Sequence, residues 1–247
     1  MKKIRISAVS YTNTKPFLYG IQHTAIIDQI DLSLDIPADC AQKLIDDKVD
    51  IGLIPVAATL NLPEWHIVSD YCIGATGAVN SVFIFSNCDI REVKTIQLDP
   101  QSRTSNNLAR VLLKNLWEVE PQLITDAADY SNSTDPHTAF VQIGDRTFGK
   151  KAQFKFVYDL AEEWQKLTRL PFVFAAWIAN KPIPKAFTEE FNTSLKYGLD
   201  HRPELLKELP KRPDFDLEDY LMHKLDFNLT DDKKKALYLF LDYIRAL

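Results

Sequence analysis

The residues of this chain that are best suited to chemistry are small neutral hydrogen-bond donors. Hydroxyl and amide side chains concentrate in two short stretches, SYTNTKPF at residues 10–17 and SRTS at residues 102–105. Each stretch precedes a segment with helical spacing, and the free N–H groups and positive dipole end of a helix favour an anion. The pattern therefore predicts a site for an anionic small molecule.

The same residues also have a simpler interpretation. Ser and Thr ahead of a helix most often only cap its first turn, and Asn13 before a helix that starts at Pro16 is usually a cap too. Asp145 after Gly144 is usually a turn residue, and Ser81 taken alone carries no signal. The hypothesis of a ligand site therefore depends on several such loops meeting in space.

The sequence contains little evidence for a catalytic nucleophile or for a metal site. Cys40, Cys72 and Cys88 are widely spaced and form no C-x-x-C, and there is no G-x-S-x-G, H-E-x-x-H, P-loop or G-x-G-x-x-G motif. Four of the five histidines lie outside the loops of interest, and His137, just before a predicted strand, is kept as an outside candidate. We expect no metal ion and no cofactor, and the odd cysteine count fits a reducing cytoplasm.

Composition and charge give no reason to expect a membrane or nucleic-acid partner. Hydrophobic residues make up 46% of the 247 residues, and the net charge of -5 comes from basic and acidic residues mixed along the chain. Residues 1–7 lack the continuous apolar core of a secretory signal, and KKK at 233–235 is typical of a solvated helix face. We therefore expect a small-molecule ligand, no nucleic acid and no membrane.

Strands that alternate with helices must position the polar loops. Apolar runs typical of strands occur at 4–9, 51–54, 82–85, 95–98 and 139–143. From Pro182 onward the chain changes to helical segments that are separated by prolines. This order predicts an α/β fold with mainly parallel sheets and a helical C-terminal part.

Two apolar runs, 82–86 and 170–177, are placed to carry the chain out to a second lobe and back. We expect lobe I to contain residues 1–84 and 175–247, and lobe II to contain residues 85–174. Small ligands bind in clefts between domains and at the carboxyl ends of strands. Four loops are predicted to line such a cleft, at residues 10–16, 55–59, 77–81 and 102–105.

Taken in order, these stretches resemble the chorismate dehydratase family, which opens the futalosine route to menaquinone. The similarity covers residues 4–177. The C-terminal part resembles the family only in being helical. Thr12 departs from the family, which usually has an aliphatic residue there, and Arg169 stands where a Gly is common. The motifs that carry the resemblance are SYTNTKPF at 10–17, DIGLIP at 50–55, SV at 81–82, SRTS at 102–105, IGD at 143–145, DLAEEW at 159–164 and PFVFAAW at 171–177.

The resemblance implies a two-lobed, type II periplasmic-binding-protein-like fold kept in the cytoplasm, with two crossover segments. It implies a hydro-lyase that removes water from the dianion chorismate and forms 3-((1-carboxyvinyl)oxy)benzoate. Asn13 and Ser81 carry over as catalytic or substrate-orienting residues. The expected substrate-binding residues are Ser10, Tyr11, Pro55, Ser102, Arg103, Thr104, Ser105, Gly144 and Asp145.

Two other functions stay open from the sequence. The first is 1,4-dihydroxy-6-naphthoate synthase of the same pathway and fold, which is expected to place a His-Glu pair where this chain has Gly144 and Asp145. The second is a solute-binding protein or sensor for an anionic small molecule. It is disfavoured because the sequence offers neither an export signal nor a DNA-binding extension.

Overall fold

The computed structural model describes residues 3–247, which fold around two five-stranded sheets. The first sheet has the strand order β2-β1-β3-β10-β4, where the strands are β1 (Ile4–Val9), β2 (Ile30–Asp35), β3 (Ile51–Pro55), β4 (His66–Ala75) and β10 (Phe172–Ala179). The second has the order β7-β6-β8-β5-β9, where the strands are β5 (Val82–Ser86), β6 (Thr95–Gln97), β7 (Gln122–Ile124), β8 (Thr138–Ile143) and β9 (Phe156–Asp159). Residues 1 and 2 of the predicted lobe I lie outside the described residues.

Four strands of each sheet run in one direction, and the fifth strand is reversed. In the first sheet β10 is antiparallel to both β3 and β4, and in the second sheet β5 is antiparallel to both β8 and β9. The remaining strand pairs are parallel. The expectation of an α/β fold with mainly parallel sheets is therefore confirmed, with one reversed strand in each sheet.

The position of the crossover segments differs from the expectation. The apolar runs 82–86 and 170–177 largely form β5 and β10, every residue of which is buried. A continuous apolar run buries more of its surface as a strand inside a sheet than as a connection between sheets. The chain therefore passes from one sheet to the other over residues 76–81 and returns over residues 160–171. The lobe boundaries at 84/85 and 174/175 stay a prediction, and strand membership favours boundaries just before Val82 and Phe172.

The α-helices follow the predicted order, and no helix within residues 3–247 is long and apolar enough to cross a membrane. α2 starts at Pro37 with Ile36 as its N-cap, and a proline in the first turn has no N–H that needs capping. The helices are α1 (Lys15–Gln22), α2 (Pro37–Ile45), α3 (Thr104–Leu112), α4 (Leu160–Thr168), α5 (Lys185–Asp200), α6 (Arg202–Glu208), α7 (Leu217–Asp219) and α8 (Asp231–Arg245).

The return crossover is fixed by aromatic packing against the C-terminal helix. Trp164 of α4 is fully buried and contacts Phe172 and Phe240 edge to face, with ring centroids 5.3 and 5.8 Å apart. At the end of α4, Arg169 adopts a left-handed conformation (φ 65°), which explains why a glycine suits this position. The helical tail is therefore part of the main core.

α1 and α5 approach each other unusually closely. A Cβ atom added to Gly198 would lie 1.9 Å from the backbone oxygen of Pro16, and one added to Gly20 would lie 2.0 Å from that of Ser194. Only glycine permits this approach. Because α1 follows directly on the loop that carries Asn13, the contact fixes the start of α1 relative to the rest of the first sheet.

We expect Gly198→Ala to lower the free energy of unfolding by about 1–3 kcal/mol, because the new methyl group must push the two helices apart. Urea unfolding followed by circular dichroism measures the effect. Thr193→Ala, on the exposed side of α5, is the matched control and should change stability by less than about 0.5 kcal/mol. Equal stability of the wild type and Gly198→Ala would show that the helix contact is not tight.

Candidate functional site

A cavity of about 60 Å³ lies between the facing edges of the two sheets. The loops that start at the carboxyl ends of β1, β3, β6 and β8 reach the cavity. The reversed strands β5 and β10 begin beside it. This is the edge where open α/β sheets bind ligands. The lining residues are Val9, Tyr11, Asn13, Pro37, Pro55, Ile73, Val79, Ser81, Val82, Ser102, Thr104, Ser105, Ile143, Gly144, Phe174 and Ala175.

Most of the predicted site residues meet at this cavity. Ser10 does not: it is exposed, and its N–H donates to the backbone oxygen of Asp35. Arg103 lies outside the lining, with its guanidinium donating to Gln42 Oε1 at 3.2 Å. Asp145 stands behind the lining. The predicted residues that line the cavity are Tyr11, Asn13, Pro55, Ser81, Ser102, Thr104, Ser105 and Gly144, and their roles toward a ligand stay a prediction.

The lining is polar in places but carries no charged side chain from the described part of the chain. Its polar side chains are hydroxyls and one amide, contributed by Tyr11, Asn13, Ser81, Ser102, Thr104 and Ser105. A bound anion would therefore be held by neutral dipoles. The rest of the wall is apolar, which favours a ligand with a hydrocarbon body.

The SRTS loop combines helix capping with hydroxyl side chains that line the cavity. Ser102 Oγ accepts the N–H of Ser105 at 3.0 Å and so caps the first turn of α3. Thr104 Oγ1 accepts the N–H of Ala57 at 3.2 Å, which ties α3 to the segment after β3. Because a hydroxyl that accepts a hydrogen bond still has its own proton to donate, capping does not prevent these hydroxyls from donating to a ligand.

The loop after β1 is bonded to the second sheet across the cavity. The backbone N–H and the hydroxyl of Thr12 donate to the carboxylate of Asp145, at 3.1 and 2.8 Å. The Tyr11 hydroxyl is hydrogen-bonded to the side-chain oxygen of Gln101. Thr12, a departure from the family pattern, thus supplies a second donor to Asp145 and fixes the loop of Asn13.

Gly144 makes room for the ring of Tyr11. Its φ of 65° lies in the left-handed region, and an added Cβ would stand 2.7 Å from the Tyr11 ring. Both the backbone conformation and the close approach require glycine at this position. The conformation therefore lets Tyr11 form part of the cavity wall.

An ion pair between a half-buried arginine and a buried aspartate organises the two loops of the second sheet. The carboxylate of Asp99 is fully buried and accepts two contacts from Arg146 Nη2, at 2.6 and 2.8 Å. It also accepts the N–H groups of Ile143 and Gln101, at 3.0 and 2.9 Å. One carboxylate thus holds the loop after β6 against the loop after β8.

A second buried carboxylate holds the segment that carries Ser81. Asp159 accepts N–H groups from Val79 and Asn80, at 3.2 and 2.7 Å, and it also caps α4 through the N–H groups of Ala161 and Glu162. Burial raises the pKa of Asp159 to about 6, although these donors oppose the shift. Asp159 therefore joins the outgoing crossover to the start of the return crossover.

Tyr220 belongs to the site and was missed by the sequence reasoning. Its hydroxyl is buried and donates to Ser81 Oγ at 2.9 Å. Tyr220 starts a π-helical turn (Tyr220–Lys224) directly after α7. This turn lies in the C-terminal part of the chain, where no sequence motif of the family was found. No local pattern there indicated a partner 139 residues away.

Cysteine and histidine residues do not contribute to this cavity. Burial raises the pKa of the Cys40 thiol to about 11 and that of Cys72 to about 12, so both stay protonated at neutral pH. No histidine within residues 3–247 lines the cavity, and His137 instead contacts the backbone oxygen of Glu92 at 3.0 Å. The same residues contain no cluster of three or more side chains suited to a metal ion.

Sequence comparison identifies relatives over almost the whole chain. The sequence model of the menaquinone biosynthesis family matches residues 4–246. A chorismate dehydratase from Thermus thermophilus is 23% identical over 222 residues, which covers 82% of this chain and 80% of that enzyme.

Solved structures with the same fold also cover almost the whole chain. A protein from Archaeoglobus fulgidus superimposes with a TM-score of 0.76 at 15% identity, covering 99% of this chain and 97% of that one. A conserved Candida albicans gene product with the generic periplasmic binding protein fold gives 0.66 at 12% identity, covering 100% and 94%. The alkanesulfonate-binding protein SsuA from Xanthomonas axonopodis pv. citri, bound to MOPS, gives 0.64 at 15% identity, covering 100% and 93%. The expected periplasmic-binding-protein fold is confirmed.

Replacing Gly144 with Ala should destabilise the protein more than the same change at Gly77. Both residues have positive φ values, of 65° and 89°, but a Cβ at Gly77 would meet only a side-chain oxygen at 3.6 Å. We expect Gly144→Ala to lose about 1–3 kcal/mol more than Gly77→Ala, because Tyr11 must move. Urea unfolding of both variants measures the difference. Equal losses of unfolding free energy would contradict the close packing of the Tyr11 ring against Gly144.

The raised pKa of Asp159 predicts a pH-dependent stability. The pKa is about 6 in the folded protein and about 3.9 in an unfolded chain. Between these values the folded state binds more protons, so this residue stabilises the fold fully below about pH 4, and the stabilisation is lost as pH rises through 6. The loss across the window should amount to about 3 kcal/mol.

The measurement compares the wild type with Asp159→Asn, which does not titrate at this position. The difference in unfolding free energy, wild type minus variant, should fall between pH 4 and 6 and stay constant from pH 7 to 8. Urea unfolding at several pH values provides both curves. A difference that rises with pH across the window would show that the N–H donors outweigh burial and that the folded pKa is lowered.

Proposed function

The chain belongs to the menaquinone biosynthesis family, and from this premise we propose that it is a chorismate dehydratase, which converts chorismate to 3-((1-carboxyvinyl)oxy)benzoate and water. The observation that carries the proposal is the uncharged cavity with Asn13 and Ser81 on its wall. The similarity to the Thermus thermophilus enzyme supports the reaction.

The reaction suits a site without a nucleophile. The bond from C4 to the hydroxyl breaks, the proton on C3 leaves, and the electron pair of that C–H bond completes the aromatic ring. Hydroxyl and proton together make the released water, so no electrons are gained or lost overall. Because aromatisation supplies much of the driving force, the protein mainly has to orient the ring, exclude water and stabilise the departing group.

The polar lining divides into two groups that match the two ends of such a substrate. Asn13 and Ser81 would hold the leaving hydroxyl and one carboxylate. The hydroxyls of Ser102, Thr104 and Ser105, at the start of α3, would hold the other carboxylate together with the dipole of the helix. No basic side chain of the described residues lines the cavity, so the proton would pass to a substrate carboxylate or to a bound water.

The size of the cavity indicates that the substrate cannot enter without movement. About 60 Å³ is less than the roughly 150 Å³ of an engineered cavity that accepts benzene. Entry would therefore separate the two sheets and break the bonds that cross between them, from Thr12 to Asp145 and from Tyr11 to Gln101. Closure would restore these bonds and exclude water.

The alternative functions differ from this proposal in specific ways. A naphthoate synthase of the same pathway is expected to have a histidine at position 144, but a side chain there would collide with Tyr11. A solute-binding protein would bind an anion without converting it, and the transport proteins of similar structure show only a shared fold. We place the enzyme in the cytoplasm because its cysteines, free and buried, require no oxidising compartment.

Incubation with chorismate tests the proposal directly. We expect loss of chorismate and formation of 3-((1-carboxyvinyl)oxy)benzoate, followed by ultraviolet absorbance and identified by mass spectrometry. Ser81→Ala and Asn13→Ala should each lower kcat/KM by about 10²-fold, because each removes one oriented donor. The matched control is Ser86→Ala, which should retain activity; Ser86 is a buried serine at the end of β5 whose hydroxyl donates to the backbone oxygen of Cys88.

Binding of chorismate without any product would favour a solute-binding protein. Conversion by the wild type with near-normal kcat/KM in both Ser81→Ala and Asn13→Ala would leave the reaction in place and refute the assigned roles.

A further inference from the structure

Tyr220 approaches the cavity from behind its wall. The side chain is fully buried, and its ring is packed edge to face against Phe148 and Phe215, with centroids 5.4 and 5.3 Å away. The hydroxyl donates to Ser81 Oγ at 2.9 Å, yet Tyr220 itself does not line the cavity. Any influence on a ligand therefore passes through Ser81.

We propose that Tyr220 is a positioning residue, which fixes the direction in which the hydroxyl of Ser81 donates its proton. This inference rests on the proposed function and deepens it. It assigns a role to the helical tail, through a residue that the sequence did not single out.

The chemistry of a serine hydroxyl explains the effect. The oxygen has one proton to donate and two lone pairs to accept with, and the proton rotates freely unless a neighbour restricts it. When Tyr220 donates to one lone pair, the Ser81 proton must point away from the phenol. The oriented donor then faces the cavity before the substrate arrives, so no reorganisation is needed during the reaction.

Tyr220 is suited to act as a permanent donor. Burial raises the pKa of Tyr220 above its usual value. The phenol therefore keeps its proton at neutral pH.

The ring packing holds the phenol oxygen in place. Phe148 follows the loop of Gly144 and is itself buried, stacked on Phe215 with centroids 3.7 Å apart. Because Tyr220 contacts both rings, its χ angles have little freedom, and the hydroxyl stays within reach of Ser81. The helical tail thus supplies a rigid support for a side chain in the outgoing crossover.

A double-mutant cycle with chorismate as substrate tests the inference. Tyr220→Phe removes only the hydroxyl, and we expect kcat to fall about tenfold with KM changed less than about twofold, since one positioned hydrogen bond is lost. In the Ser81→Ala background the same change should have almost no effect on kcat, because the group that Tyr220 orients is gone. The matched control is Tyr158→Phe, whose hydroxyl accepts the N–H of Ile90 at 2.9 Å away from the cavity.

The outcomes separate the possible failures. An equal fold-loss in both backgrounds, or unchanged kcat in Tyr220→Phe alone, would overturn the inference while wild-type turnover upholds the proposed function. Failure of the wild type to convert chorismate would refute the proposed function and the inference with it. If circular dichroism shows that Tyr220→Phe does not fold, 3-fluorotyrosine is placed at position 220 instead, because it keeps the hydroxyl and changes its acidity. This substitution must then change kcat when Ser81 is present and leave kcat unchanged in the Ser81→Ala background.

Discussion

The cavity between the two sheets offers no charged side chain from the described residues, so charge placed there must be balanced by hydroxyl, amide and backbone dipoles. Dipoles of this kind are weaker than a lysine or an arginine in water. Where water is excluded they are screened less, and they need no reorganisation when charge moves during a reaction. In the proposed reaction, this constraint means that neutral donors would hold the dianionic substrate and that the proton would pass to the substrate or to a bound water.

The charged residues stand one layer behind the lining and act on the loops. Asp99, Asp145 and Asp159 each accept hydrogen bonds from backbone N–H groups of loop segments at the site. A buried carboxylate without partners would be costly, and here the loop N–H groups serve as those partners. The loops are therefore held by the same bonds that make the buried charges tolerable, and the neutral donors of the cavity stand on fixed supports.

The fold does not by itself distinguish an enzyme from a binding protein. A protein that binds alkanesulfonates has a similar fold at only 15% identity to this chain. What separates the functions is the chemistry of a few loops and the supports behind them. The hydrogen bond from Tyr220 to Ser81 is one such support, because it is proposed to set the direction in which the Ser81 hydroxyl donates its proton.

The sequence by itself determined the α/β class, the residue types of the polar loops and the strands β1, β3, β5, β6 and β8, since apolar periodicity and turn residues are local signals. It did not indicate β2 or β4, in which polar residues interrupt the apolar run that marks a strand, nor the short strands β7 and β9. Tertiary structure alone decided which polar residues share the cavity: it left out Ser10 and Arg103 and brought Tyr220 against Ser81. The physical reason is that periodicity specifies which face of an element is buried, whereas the meeting of side chains more than a hundred residues apart depends on how the sheets and the helical tail pack.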